Sequence, residues 1–336
     1  MSFNRPLRSR SRRLVKNQSA VYHLVNKCAL SSMILDESCK GQFVRMMWRQ
    51  AAFAGVEVLS YCVMTNHFHL LVRLPKPHEI SDKELMRRYR VLYGKNVPLS
   101  AAHPDVLETM LEQGGEEVDE LRERLIARMH DLSAFVSELK QRFSIWYNKN
   151  RRNSGTVWSE RFRSIIIEDS PEYTAPMAAY IDLNPVRAKI VEDPSEYVFS
   201  GYGAAMQVSD SNAKDGLVSL YQSVKNWRRA IHSYRVLLYG KGAQSKGSPD
   251  KDAGMIDPER AEKVIRDGGK LSWAEYLRMH VGYFTQGGIL GSQEFVMKTK
   301  DTIAPVDSGR PAKAKAFVGL QETCFSFRNI QKKPAN

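Results

Sequence analysis

The chain has 336 residues, 43% of them hydrophobic, enough to bury a core and to divide into two domains. No apolar run reaches the ~18 residues of a membrane-spanning helix, which excludes such a span. Lysine and arginine outnumber aspartate and glutamate 50 to 37, a net charge of +13. That excess points to a polyanionic partner, nucleic acid before an anionic membrane, although an ordinary basic protein has the same balance.

Residues 1–18 form a basic arm with Arg5, Arg8, Arg10, Arg12, Arg13 and Lys16 and no acid. They lack the apolar stretch of a signal peptide and read as a disordered segment that lies along phosphates. The four cysteines, Cys28, Cys39, Cys62 and Cys324, have no C-x-x-C spacing. They read as reduced core residues of a cytoplasmic protein.

Residues 19–28 alternate as a strand, with Tyr22, Leu24 and Asn26 on one face and His23 and Val25 on the other. His23 is within reach of a site on its face, but a packing role is its plainer reading. Residues 35–55 carry a helical apolar stripe through Phe43, Met46, Met47 and Ala51, ended by Gly55. Strands follow at 56–64 and 67–74, with Thr65-Asn66 as the turn and Pro75 and Pro77 as terminators. In the second of these strands His67 and His69 share a face about 7 Å apart and Phe68 points to the other. Two imidazoles so placed can converge on one divalent cation, but histidines at this spacing are common and usually structural.

A helix is expected over 79–93, a loop over 94–104 and an acid-rich insertion over 105–131, set away from any phosphate surface. Residues 132–148 form an amphipathic helix, 149–155 a basic loop and 165–167 a buried fourth strand. Ser170-Pro171 is a helix start, and the helix runs to Tyr180 with Pro176 inside it as a kink. Pro185 then starts another turn. The order β–α–β–β–α–β–α is the split βαβ pattern: an α+β, ferredoxin-like antiparallel sheet with an added C-terminal helix. Residues 203–336 read as a linker (240–252) and a mainly helical extension. A helix at 258–281, glycines at 287–291 and a short helix at 293–298 are compatible with a DNA-binding helix-turn-helix. Ser308-Gly309-Arg310-Pro311 adds a weak minor-groove signal.

Three motifs in order carry a resemblance: Asn66 to Val72 around the two histidines, Trp158-x-x-Arg161-Phe162-Arg163, and Tyr180-Ile181-x-x-Asn184-Pro185-Val186-Arg187-Ala188. Together, over about residues 19–202, they resemble the REP-associated tyrosine transposases, HUH single-tyrosine enzymes of the insertion-sequence two-hundred type. The resemblance implies that Tyr180 is the catalytic nucleophile. It implies His67, His69 and Asn184 as ligands of a divalent metal, Mg²⁺ or Mn²⁺. Asn184 follows Tyr180 by one helical turn, so both face the same side.

The implied reaction is strand transfer. Tyr180 attacks a phosphodiester of single-stranded DNA, becomes linked to the 5′ phosphate and releases a 3′-OH, which later reseals the strand. The implied partner is a DNA hairpin of palindromic repeats, in the bacterial cytoplasm at the nucleoid. Arg161, Arg163, Arg187 and Lys189 are then phosphate contacts. Whether the protein acts as a monomer or a homodimer stays open. Two readings compete: a non-catalytic hairpin-binding protein descended from such a transposase, and a metal nuclease that uses water and survives Tyr180→Phe. Pro176 and the long acidic insertion depart from the compact family pattern.

Overall fold

The computed structural model describes residues 18–29, 35–94, 103–159, 161–208, 210–222, 226–239, 273–278, 284, 288–303, 314–317, 320 and 323–327. Residues 1–17 of the basic arm, the linker 240–252 and the Gly-Arg-Pro segment lie outside these residues.

Four antiparallel strands form the centre: β1 (Ala20–Lys27), β2 (Glu57–Val63), β3 (His67–Leu74) and β4 (Arg163–Ile167), in the order β2-β3-β1-β4. That is the ferredoxin-like arrangement expected from the sequence. β2 and β3 are joined by a two-residue turn closed by Met64 N–H to the His67 carbonyl at 2.8 Å.

Directly paired residues share a face. His23 pairs with Leu71, Val25 with His69 and Lys27 with His67, and Val25 also pairs with Arg163. One face therefore carries Lys27, His67, His69, Arg163 and His23. Phe68 points to the opposite face, where its ring meets Phe43 (4.8 Å) and Trp158 (5.4 Å). A register shift at Leu59 in β2 turns Ser60 and Cys62 to the histidine face, beside Leu71 and His69.

The Phe68 face is covered by α1 (Glu37–Ala54) and α5 (Leu132–Arg151), which pack on each other. Asp36 caps α1 by accepting from Cys39 N–H at 2.8 Å. Gly55 ends it at φ 68°, a left-handed position where a side chain is strained. Between them lie α2 (Asp82–Tyr93), α3 (Pro104–Gln113) and α4 (Glu116–Ile126). These helices form a satellite core around Phe53, Leu85, Tyr89 and Leu107. The acidic insertion is thus helical. Part of its charge is paired with α2, Glu108 with Arg90, and Arg122 of α4 returns to Asp82.

The histidine face is covered by α6 (Pro171–Asp182), which packs on β2 and β3. The helix is continuous through Pro176, although proline forfeits one i→i−4 hydrogen bond there. Its burial among Thr174, Ala175, Met177, Ala178 and Ala179 offsets that loss. α7 (Asn184–Arg187) adds the expected turn.

The chain after residue 202 packs into the same apolar core rather than standing apart: Leu217, Tyr234, Trp273, Phe284, Leu290 and Phe317 all belong to it. α8 (Gly201–Gln207), α9 (Ser211–Ser219) and α10 (Trp227–Tyr239) lead into it. At Gly216 of α9 an added Cβ would lie 2.4 Å from the Val58 carbonyl, so only glycine lets that helix touch β2.

Further along, Ile289–Gly291 is a strand parallel to β4, followed by Phe325–Phe327 and Lys315–Ala316, so the sheet has seven strands among the described residues. This corrects the helix-turn-helix reading. The element before the helix Gln293–Ile303 is a sheet strand, and of the expected helix over 258–281 only Trp273–Arg278 falls within the described residues. No helix among the described residues is long and apolar enough to cross a membrane.

Candidate active site

His67 and His69 lie with ring centroids 5.0 Å apart on the face that α6 covers. Tyr180 projects from α6 toward them. Its ring is edge-on to His69 at 6.5 Å and to His23 at 6.4 Å. The sheet register and the α6 docking thus bring Tyr180 to histidines more than 100 positions earlier in the sequence. His69, His23 and Tyr180 are buried, Tyr180 completely, and His67 is half-buried. Burial, with the Lys27 charge opposite, pushes His67 down to about 4. It is a neutral imidazole at pH 7 with a lone pair available for a cation.

His67 Nδ1 lies 2.6 Å from Asn66 Oδ1, and His69 Nδ1 lies 2.9 Å from His23 Nε2. Two imidazoles on one face, each steadied at Nδ1 by a neighbour, fit a divalent cation held at ~2 Å. Asn184 is the first residue of α7, just past the end of the helix that carries Tyr180. Its amide nitrogen donates back to the Ile181 carbonyl (3.0 Å) and the Tyr180 carbonyl (3.3 Å), leaving Oδ1 as its donor atom for a metal. Asn184 makes no hydrogen bond to either histidine. Among the described residues no three His, Cys, Asp or Glu side chains gather as a metal site.

Arg187 is not displayed to solvent phosphates. Its guanidinium lies 4.1 Å from the centre of the Tyr180 ring. Its Nη atoms donate to the Tyr180 carbonyl and, at 2.7 Å, to the Leu277 carbonyl, while Nε is buried with no partner among the described residues. Burial pushes the guanidinium down to about 10, so it keeps its charge at neutral pH. Arg161, Arg163 and Lys189 are exposed. Of these, Arg163 shares the histidine face through its pairing with Val25. Lys27, which pairs with His67 and is exposed, was missed as a candidate. The alternation that places His23 and Val25 on one face also places Lys27 there.

Two residues past Tyr180, Asp182 anchors the helix. Its carboxylate accepts from Ser60 Oγ (3.1 Å), Tyr202 N–H (3.1 Å) and Tyr234 Oη (2.5 Å). Over Tyr180 lies Phe284, stacked at 4.5 Å between centroids, with its carbonyl 2.7 Å from His23 Nδ1. The C-terminal segment therefore forms the roof of the site, which the sequence did not indicate.

A family model described as "Transposase IS200 like" matches residues 16–100. No curated protein matches the chain. A solved structure of a REP-associated tyrosine transposase bound to a REP hairpin aligns with 76% of this chain and 99% of its own. The identity is 12% and the TM-score 0.35, an overlap that fixes neither fold nor function. The matched residues 16–100 include the histidine strand β3 and end before Tyr180 and Asn184.

Proposed function

We propose that this protein is a transposase that nicks and rejoins single-stranded DNA at hairpin repeats through a 5′-phosphotyrosine intermediate on Tyr180. The observation that carries the reading is the convergence of Tyr180 with His69 and His67 on one face of the sheet. In the forward step the Tyr180 hydroxyl oxygen bonds to phosphorus and loses its proton. The P–O3′ bond breaks, and the departing oxygen takes up a proton as a 3′-OH. Attack by a 3′-OH on the phosphotyrosine reverses the step and restores the phenol. The phosphotyrosine conserves the bond energy, so no nucleotide is consumed.

Tyrosine ionises near ~10 and is a poor nucleophile at pH 7 without help. The Arg187 guanidinium stacked on the ring stabilises negative charge developing on the phenol oxygen. A divalent cation, Mg²⁺ or Mn²⁺, held by His67, His69 and Asn184 would polarise the scissile phosphate. Lys27 and Arg163 border the histidines and track the DNA backbone, with Arg161 and Lys189 as outlying contacts. The cytoplasmic, nucleoid location belongs to the same proposal.

The test uses 3′-labelled single-stranded hairpins from repeats flanking the gene, with Mn²⁺ or Mg²⁺, on a denaturing gel. The proposal predicts a labelled protein band that is lost in Tyr180→Phe and in His67→Ala. Cleavage that persists in Tyr180→Phe would identify water as the nucleophile instead. The complete burial of Tyr180 beneath Phe284 favours one other reading, a hairpin-binding protein without chemistry. That reading predicts tight binding and no adduct with any metal.

A further inference from the structure

His23 stands on β1 beside the proposed ligand pair, and both of its ring nitrogens are engaged. Nδ1 lies 2.7 Å from the Phe284 carbonyl oxygen. Nε2 lies 2.9 Å from His69 Nδ1. The two rings are inclined by only 15°, with centroids 5.2 Å apart. That separation is the N···N contact plus the two ring radii, so the imidazoles meet edge to edge in one plane, as a hydrogen bond requires.

A carbonyl oxygen only accepts, so His23 Nδ1 carries a hydrogen. His23 is fully buried between Tyr180 and Phe284, surroundings that favour the neutral ring. A neutral His23 with its hydrogen on Nδ1 presents a lone pair at Nε2. The hydrogen in the 2.9 Å contact then belongs to His69 Nδ1, and the His69 lone pair lies on Nε2. Asn66 does the same for the other ligand: its amide oxygen, 2.6 Å from His67 Nδ1, accepts a hydrogen from that nitrogen.

We infer that His23 is a positioning residue for the proposed metal site: it fixes His69 in the Nδ1–H form and orients Nε2 as the ligating nitrogen. The inference rests on the reading of His67 and His69 as ligands. It adds a three-membered relay, Phe284 carbonyl to His23 to His69, that ties the C-terminal segment to the site. Partners of this kind set the tautomer and basicity of metal-bound histidines, and losing one typically costs 10–100-fold in affinity.

Two measurements on the full chain test it. Long-range ¹H–¹⁵N correlation spectra of the metal-free, histidine-labelled protein report each tautomer directly. The expected result is Nδ1–H on both His23 and His69, and Nε2–H on His69 overturns the inference. Mn²⁺ affinity, read by electron paramagnetic resonance, should fall 10–100-fold in His23→Leu. It should return to within about threefold of wild type in His23→Gln, whose amide offers an oxygen to His69 and an N–H to Phe284.

An unchanged affinity in His23→Leu that melts as a folded protein overturns the inference, as does a loss that glutamine does not restore. Wild-type protein that binds no Mn²⁺ overturns the metal reading and this inference together. Wild-type protein that binds Mn²⁺, shows the expected tautomers and forms no DNA adduct overturns only the proposed reaction.

Discussion

Asp182 holds the Tyr180 helix to the sheet and to α10, and its protonation should be visible in the stability of the whole chain. The carboxyl is fully buried, and burial pushes it up from 3.8 to about 6 in spite of its hydrogen-bond donors. Between those two pH values the folded protein holds a proton that the unfolded chain has released. The resulting stabilisation is complete below pH 3.8 and is lost as pH rises through 6. A shift of about two pH units at 1.36 kcal/mol each makes the swing roughly 3 kcal/mol.

Asp182→Asn mimics the protonated acid, since the Ser60 and Tyr234 hydroxyls can turn to accept from its amide nitrogen. Urea unfolding at several values between pH 4 and 7.5 gives the stability difference between variant and wild type. That difference should move in the variant's favour by about 3 kcal/mol from pH 4 to pH 7.5. A difference independent of pH would refute the assignment of a raised, burial-dominated carboxyl.

Further outcomes follow from the roof and the rim of the site. Phe284→Ala removes a fully buried ring and should cost about 3–5 kcal/mol in chemical denaturation. Because the backbone carbonyl on His23 remains, it should also speed adduct formation by opening Tyr180. Lys27→Gln and Arg163→Gln should each lower the slope of log affinity for single-stranded DNA against log salt by about 0.7 in a filter-binding titration, without abolishing the adduct. Arg187→Gln should slow adduct formation more than it weakens DNA binding, read as a fall in the single-turnover rate at saturating hairpin.

Much of the core was legible because it follows local rules. Period-two alternation marks β1 and β3, Gly55 and the Thr65-Asn66 turn set the ends of α1 and β2, and Ser170-Pro171 starts α6. Alternation also put His67 and His69 on one face. What the sequence did not show depends on non-local pairing. His23 meets His69 only because of the antiparallel register of β1 against β3. The strand Ile289–Gly291 is three residues long, too short for a period to be seen.

The resemblance implies Arg187 as a phosphate contact, a role that needs an exposed guanidinium. Its burial comes from the fold of the C-terminal segment, whose Leu277 carbonyl takes one of its hydrogens. Pro176 predicts a kink in the helix. The surrounding small and apolar side chains of α6 are buried, and tertiary packing overrides the local cost there.

The most direct test of the central claim is to locate the covalent bond. Wild-type protein is incubated with the hairpin and Mn²⁺, the DNA is trimmed by nuclease, and the chain is digested for mass spectrometry. The account predicts a nucleotide joined through its 5′ phosphate to the peptide containing Tyr180, and to no other tyrosine. A nucleotide on Tyr173, Tyr197 or Tyr202, or cleaved DNA with every tyrosine unmodified, would contradict it.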